Sequence, residues 1–315
     1  MADASIRVAV IGVGHLGRHH ARILSELPGA RLTAVVDTIE ERARAAAEPS
    51  GAEALTDYRA LQNSVDAVTI AVPTELHREI AQPFLERGVP VLVEKPMARS
   101  LAEADDLLQA ARRSNAIFAV GHTERYNPAI AAILPLVSRP RFIEVHRLGA
   151  FPDRSLDIDV VFDLMIHDLD VILSLVQSPV SAIEAVGVPV LTTRYDIANA
   201  RLRFEDGCIA NITASRISRE RVRKIRFFQQ DAYISIDYAA QEVEGYRLVR
   251  RDGARPDIQG GQLPVQREEP LKRELADFVG AVRDRRAPLV TGDDGRRALA
   301  LAQAIAEKME SVTRP

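Results

Sequence analysis

Between the apolar run Ile6–Ile11 and a stretch of helical period lies Gly12-Val13-Gly14-His15-Leu16-Gly17. No other short segment restricts the possible folds as much. Glycines at this spacing meet three demands: a tight turn at Gly12, a bare backbone at Gly14 for a pyrophosphate, and close helix–strand packing at Gly17. The following helix offers free N–H groups and partial positive charge to phosphates. Twenty residues after Gly17, Asp37 closes the second apolar run, Ala34-Val35-Val36. A carboxylate there accepts both ribose hydroxyls and repels a 2′-phosphate, so NAD is expected over NADP. Arg42 and Arg44, a turn or two further on, weigh the other way.

Residues 6 to about 120 alternate short apolar runs with amphipathic stretches such as His19–Leu27, Leu76–Glu86 and Leu101–Arg112. Buried parallel strands read as continuous apolar runs, so this half is an α/β unit with a parallel sheet. After about residue 140 the pattern changes to two-residue alternation with turn signals such as Glu205-Asp206-Gly207. That pattern predicts an antiparallel sheet with one covered face. The stretch Arg251–Pro270 is polar and rich in Gly and Pro, and reads as a mobile loop; Gly295–Met309 reads as a last helix.

Bulk composition excludes several classes. Net charge is -3 with both signs interspersed, which disfavours nucleic acid as a partner. The single cysteine, Cys208, forbids an internal disulfide and any cysteine-based cluster, and no metal site is expected. The opening Met-Ala-Asp-Ala-Ser does not resemble a signal peptide, and no run reaches the roughly 18–20 apolar residues of a membrane span. A soluble, cytoplasmic protein is expected.

Two further places carry candidate chemistry. Of 41 basic residues only Lys95, Lys224, Lys272 and Lys308 are lysines, so an ammonium stands out. Lys95 follows Pro90-Val91-Leu92-Val93 and Glu94, at the strand end where open parallel sheets bind ligands. On placement alone it reads equally as a strand-end charge paired with Glu94. The second place is the apolar helix around 159–177. At about 100° per residue, Asp159, Asp163, His167, Asp170 and Ser174 share one stripe and Asp168 points elsewhere. A buried Asp–His pair that only fixes packing is one reading. So many ionisable groups on one buried stripe favour a site.

Glu94-Lys95-Pro96, the glycine turn and Asp163-x-x-x-His167 together resemble the Gfo/Idh/MocA family of NAD(P)-dependent sugar oxidoreductases. The likeness extends to Pro73-Thr74-Glu75-Leu76-His77, to Gly121-His122-Thr123-Glu124-Arg125-Tyr126-Asn127-Pro128, and to Gly292-Asp293-Asp294-Gly295. It implies a Rossmann domain over 1–122 and a mixed α/β domain over 123–315. The second domain would hold a large open, mostly antiparallel sheet carrying homodimer or homotetramer contacts, and the last helix, about 292–311, would pack back on the first. It implies hydride transfer between a secondary hydroxyl of a sugar or cyclitol and nicotinamide. Lys95, Asp163 and His167 would be catalytic. Cofactor contacts would fall at Gly12 through Gly17, Asp37, Ala71, Pro73, His77, Glu94, Lys95 and Arg125.

The chemistry of the residues agrees. Oxidising a carbinol requires its proton to leave to a base within hydrogen-bond reach. An imidazole suits that task near neutral pH, and an ammonium can hold the developing alkoxide or relay the proton. Which of His167 and Lys95 is the formal base stays open at this point. Family members often carry paired glycines before the aspartate, where this chain has Asp159-Val160-Val161. With the 121–128 junction, the Leu-Met-Ile spacer resembles the branch oxidising the 3-hydroxyl of UDP-N-acetylglucosamine or its uronic acid. Asn127 would then lie near the sugar, and Arg147 and Lys224 are candidate diphosphate partners unless they are plain surface charges. An inositol, glucose or other free-sugar dehydrogenase is the alternative. A non-catalytic NAD-binding regulator is a second, disfavoured because the lysine and the Asp/His pair are both kept.

Overall fold

The computed structural model describes residues 5–61, 64–151, 158–250 and 256–313. The chain forms two units, Met1–Thr123 with Glu269–Leu299, and Glu124–Glu268 with Ala300–Pro315.

The first unit alternates β1 (Ile6–Ile11), α1 (Gly17–Glu26), β2 (Ala30–Val36), α2 (Glu40–Ala47), β3 (Glu53–Leu55), β4 (Ala67–Ile70), α3 (His77–Glu86), β5 (Val91–Glu94), α4 (Leu101–Ser114) and β6 (Phe118–Gly121). The six strands are parallel in the order β3-β2-β1-β4-β5-β6. Strand order reverses direction between β1 and β4, and a crevice at the carboxyl ends of such strands is the ligand position of a doubly wound sheet. β4, β5 and β6 are buried along their whole length, which is why they read as unbroken apolar runs.

The second unit holds α5 (Pro128–Ile133), β7 (Pro140–Leu148), α6 (Ile166–Leu175) and strands β8 (Val180–Val188), β9 (Ile197–Phe204), β10 (Ile209–Ser215), β11 (Val222–Gln229), β12 (Ala232–Asp237), β13 (Glu242–Val249) and β14 (Asp257–Leu263). Its sheet runs β14-β13-β12-β11-β7-β10-β9-β8. All neighbours are antiparallel except β7 and β10, a parallel pair. Strand burial alternates, as in Ile197–Phe204, which matches the predicted single covered face.

Within the stretch read as a mobile loop, the structure places an edge strand, β14. The Cβ of any other residue at Gly260 would lie 2.0 Å from the Gly245 carbonyl oxygen, so glycine is what lets β14 approach β13. Glycines carry no side-chain alternation, which is why the strand was invisible to pattern. The remaining helices are α7 (Pro270–Asp284) and α8 (Gly292–Thr313). In the first unit Leu275, Phe278 and Val279 of α7 join Ile23 and Leu24 of α1 over Val8, Val10 and Val35. Each such side chain contributes about 1.5–3 kcal/mol on burial.

Candidate active site

Gly12 has φ 84°, and a Cβ there would meet Val72 Cγ1 at 2.6 Å and the Ala71 oxygen at 2.8 Å. A Cβ at Gly17 would sit 1.7 Å from the Gly12 oxygen, so α1 rests directly on the turn. At Gly14 nothing lies within 4 Å. The turn is thus sealed at two glycines and open at the middle one, the form needed for a phosphate to approach backbone N–H groups. Asp37 Oδ2 accepts the Val13 N–H at 2.9 Å and Oδ1 accepts the Ile39 N–H at 2.9 Å. This acid is thereby held at the turn. His15 and Leu16 are exposed beside it, and the Ala71 N–H donates to the Ile11 oxygen at 2.8 Å.

Glu94, the last residue of β5, is buried and Lys95 after it is half-buried. Glu94 Oε1 lies 3.0 Å from His20 Nε2, and Oε2 accepts the Lys95 backbone N–H at 3.3 Å. His77 is buried with its two ring nitrogens 2.9 Å from the carbonyls of Pro96 and Val72. Burial holds its pKa below the usual histidine range, and the neutral ring donates to one carbonyl at a time. His77 thus ties the loop after β4, where Pro73 is exposed, to the one after β5.

In the second unit Asp163 lies in a π-turn, Val161–Met165, in which the Ile166 N–H donates to the Val161 oxygen. His167 follows in the first turn of α6. Single π-turns interrupt helices frequently at functional sites. Both side chains are half-buried, and the π-turn packs against β10. The predicted five-residue stripe is divided in the structure. Asp159 precedes the helix and accepts the Tyr195 N–H at 2.9 Å, while Ser174 donates to the Val171 oxygen. Asp170 is 3.4 Å from Arg125. An i→i+5 turn advances less per residue than an α-helix, so uniform spacing misplaces what precedes it.

The remaining candidates are placed as follows. Arg147 is 4 % exposed, reaching from β7 to Asp168 of α6 through Nε at 2.6 Å and Nη2 at 3.0 Å. Its Nη1 donates to Glu124 Oε1 at 3.0 Å, and its guanidinium stacks 5.3 Å from the Tyr238 ring centre. Burial disfavours the Arg147 charge, but Asp168 and Glu124 outweigh it and hold its pKa above the ordinary value. Burial pushes the Asp168 carboxyl up, with Arg147 pulling it down. Asn127 is buried, caps α5 by accepting the Ala129 N–H, and donates to Glu124 and to the Tyr238 carbonyl. Lys224 is half-buried, 3.6 Å from Asp237 across β11 and β12. Asp163 and His167 therefore share one helix, Lys95 shares a unit with the glycine turn, and Arg147 is engaged by two carboxylates.

Sequence reading did not single out His20, Glu124, Tyr238 or the pair Asp196–Arg216. Arg216 is buried, donating to Asp196 at 2.9 Å and to the Ile158 oxygen at 2.8 Å, just before the π-turn. Burial pushes the Asp196 carboxyl up, but N–H donors of Leu191 and Thr192, the Thr192 hydroxyl and Arg216 outweigh it. They hold it well below the usual carboxylate range. Isolated polar residues just before β9 and just after β10 carry no spacing signal for such pairs.

Residues 6–122 match the oxidoreductase family's NAD-binding Rossmann fold of the Gfo/Idh/MocA group, and residues 139–235 match its C-terminal domain. The chain belongs to the Gfo/Idh/MocA oxidoreductase family. Among relatives of this family, the UDP-N-acetylglucosamine 3-dehydrogenase of Acidithiobacillus ferrooxidans is 37% identical over 310 residues, covering 97% of this chain and 98% of the relative. Its solved structure superposes with a TM-score of 0.91 at 36% identity, over 98% of this chain and 99% of that one. The scyllo-inositol 2-dehydrogenase (NAD(+)) of Bacillus subtilis is 27% identical over 93% of this chain and 90% of its own. No described helix is long and apolar enough to cross a membrane.

Proposed function

We propose that this chain is an NAD-dependent dehydrogenase that oxidises the 3-hydroxyl of UDP-N-acetylglucosamine or a closely related nucleotide sugar. The observation that carries this reading is the 37% identity, nearly end to end, with a relative of that activity, against 27% for the inositol enzyme. The residues fit the dinucleotide: the glycine turn is open only at Gly14, and Asp37 stands beside it where a 2′-phosphate would be repelled. Nicotinamide supplies the hydride acceptor when bound.

The chain's own groups take the following roles in this reading. His167 accepts the proton of the substrate hydroxyl, and Asp163, four residues earlier, orients the imidazole or an adjacent hydroxyl. The Lys95 ammonium holds the developing alkoxide. Arg147 and Asn127 act through the buried network that joins Asp168 of α6, Glu124 and Tyr238 rather than on the diphosphate, because their polar atoms are already engaged. The outer face of the eight-stranded sheet carries subunit contacts. In support, a row of rings, Phe142, Phe228, Tyr233 and Tyr246, runs across four strands there at 5.2–6.4 Å spacings.

The test is an NADH absorbance screen with UDP-N-acetylglucosamine, myo-inositol, scyllo-inositol and free hexoses, each with NAD and with NADP. Turnover of the nucleotide sugar with NAD is expected. Turnover of a cyclitol with none of any nucleotide sugar overturns the substrate, and preference for NADP overturns the role of Asp37.

A further inference from the structure

Glu94 sits next to the lysine, and its carboxylate accepts the lysine's backbone N–H. We propose that His20 and Glu94 form a buried positioning pair that sets the backbone from which Lys95 projects; the proposal rests on the assignment of Lys95 above. His20 is fully buried on α1, the helix that opens from the glycine turn. Its Nε2 is 3.0 Å from Glu94 Oε1, while Nδ1 is buried with no hydrogen-bond partner among the described residues. The ring proton therefore belongs on Nε2, aimed at the carboxylate. The second oxygen of Glu94 accepts the Lys95 N–H. On the third side, a Cβ at Gly121 of β6 would stand 3.0–3.1 Å from three atoms of the carboxyl group, so a glycine there leaves the room it occupies.

One carboxylate thus joins α1, the end of β5 and β6 at the carboxyl edge of the sheet. A buried carboxylate is a costly way to fill space, since apolar residues of the same shape stabilise a core as well or better. What apolar residues cannot supply is a directional acceptor for the Lys95 N–H. Displacement of a catalytic group by about 1 Å costs about a hundredfold in rate, so fixing this backbone has a catalytic consequence.

The variants are His20→Leu, which removes the donor at similar volume, His20→Gln, which restores an N–H at similar reach, and Glu94→Gln as an independent break. Two readouts are taken on each. The first is reductive 13C-methylation followed by NMR: the chain has four lysines, and Lys95→Met assigns the Lys95 signal. In His20→Leu and Glu94→Gln the Lys95 signal is expected to shift or broaden while those of Lys224, Lys272 and Lys308 stay in place, with recovery in His20→Gln. The second is turnover of UDP-N-acetylglucosamine with NAD, where kcat falls about tenfold or more. In His20→Leu the NAD KM stays within about twofold, and His20→Gln regains most of the loss in kcat. A wild-type Lys95 signal in both His20→Leu and Glu94→Gln overturns the pair, as does a uniform change in all four lysines, which marks a merely structural role. Wild-type turnover in Lys95→Met overturns the catalytic assignment instead, and leaves the NMR result to judge the pair alone.

Discussion

Arg147→Met tests the energetic centre of the second unit. The substitution keeps an unbranched side chain and removes a guanidinium that is 4 % exposed and bonded to Asp168 twice and to Glu124 once. Asp168, itself fully buried, is left with a charge and no counter-ion. Breaking one side of a buried pair costs about 3–5 kcal/mol. At about 2–4 °C per kcal/mol for a unit of this size, the melting temperature at pH 7 falls by about 6–20 °C. Burial already pushes the Asp168 carboxyl up, and without Arg147 it rises further. A carboxyl whose folded pKa lies above its unfolded value, about 3.9, binds more protons in the folded state. Stability of the variant therefore recovers as pH falls through that raised value, and its deficit against wild type shrinks from pH 7 toward pH 5. Arg147→Met/Asp168→Leu removes both partners and regains more than half of the loss, because the unpaired charge is gone. Melting followed by circular dichroism reads all three proteins across this pH range. A change at pH 7 of less than about 2 °C, under 1 kcal/mol on the same scale, refutes the argument. A double variant less stable than the single one refutes it too.

Other outcomes follow from the same structure. Lys95→Ala and His167→Ala should each lose at least about a hundredfold in kcat while still binding NADH, measured by turnover and by nucleotide fluorescence. Wild-type turnover in either removes that residue from the mechanism. Burial pushes the Cys208 thiol up to about 11, so a disulfide reagent at pH 8 should label no thiol in the native protein and one after denaturation. Asp196, held below the usual carboxylate range, stabilises the fold above its unfolded pKa of about 3.9 and loses that contribution as pH falls below it. The melting gap between wild type and Asp196→Asn should thus be widest near neutrality and close toward pH 2.5; a constant gap contradicts it. Gly17→Ala, whose Cβ would lie 1.7 Å from the Gly12 oxygen, should weaken NADH binding by displacing α1 from the turn. Unchanged affinity would deny that α1 positions the turn.

Some of this protein was determined by the sequence alone. Glycines, strand-end acids and continuous apolar runs are local demands of a doubly wound sheet, so β1, the glycine turn, α1 and Asp37 could be read in order. Asp163 and His167 stood out as candidates because a buried helix seldom carries ionisable groups without use. The direction of Asp168 away from the others was legible too, but not its destination. Its partner Arg147 lies 21 residues away on a strand, and only the packing of α6 against that strand joins them. The same holds for His20, 74 residues from Glu94, and for Arg216, 58 residues from the carbonyl of Ile158. The π-turn under Asp163 and the edge strand β14 also arise only in three dimensions, one from an i→i+5 bond and the other from glycines with no side chains to alternate. Local periodicity settled which groups a helix or strand end presents. The tertiary structure decided which buried charges meet, because burial makes an unpaired charge too costly and pairing is a property of packed neighbours, not of spacing.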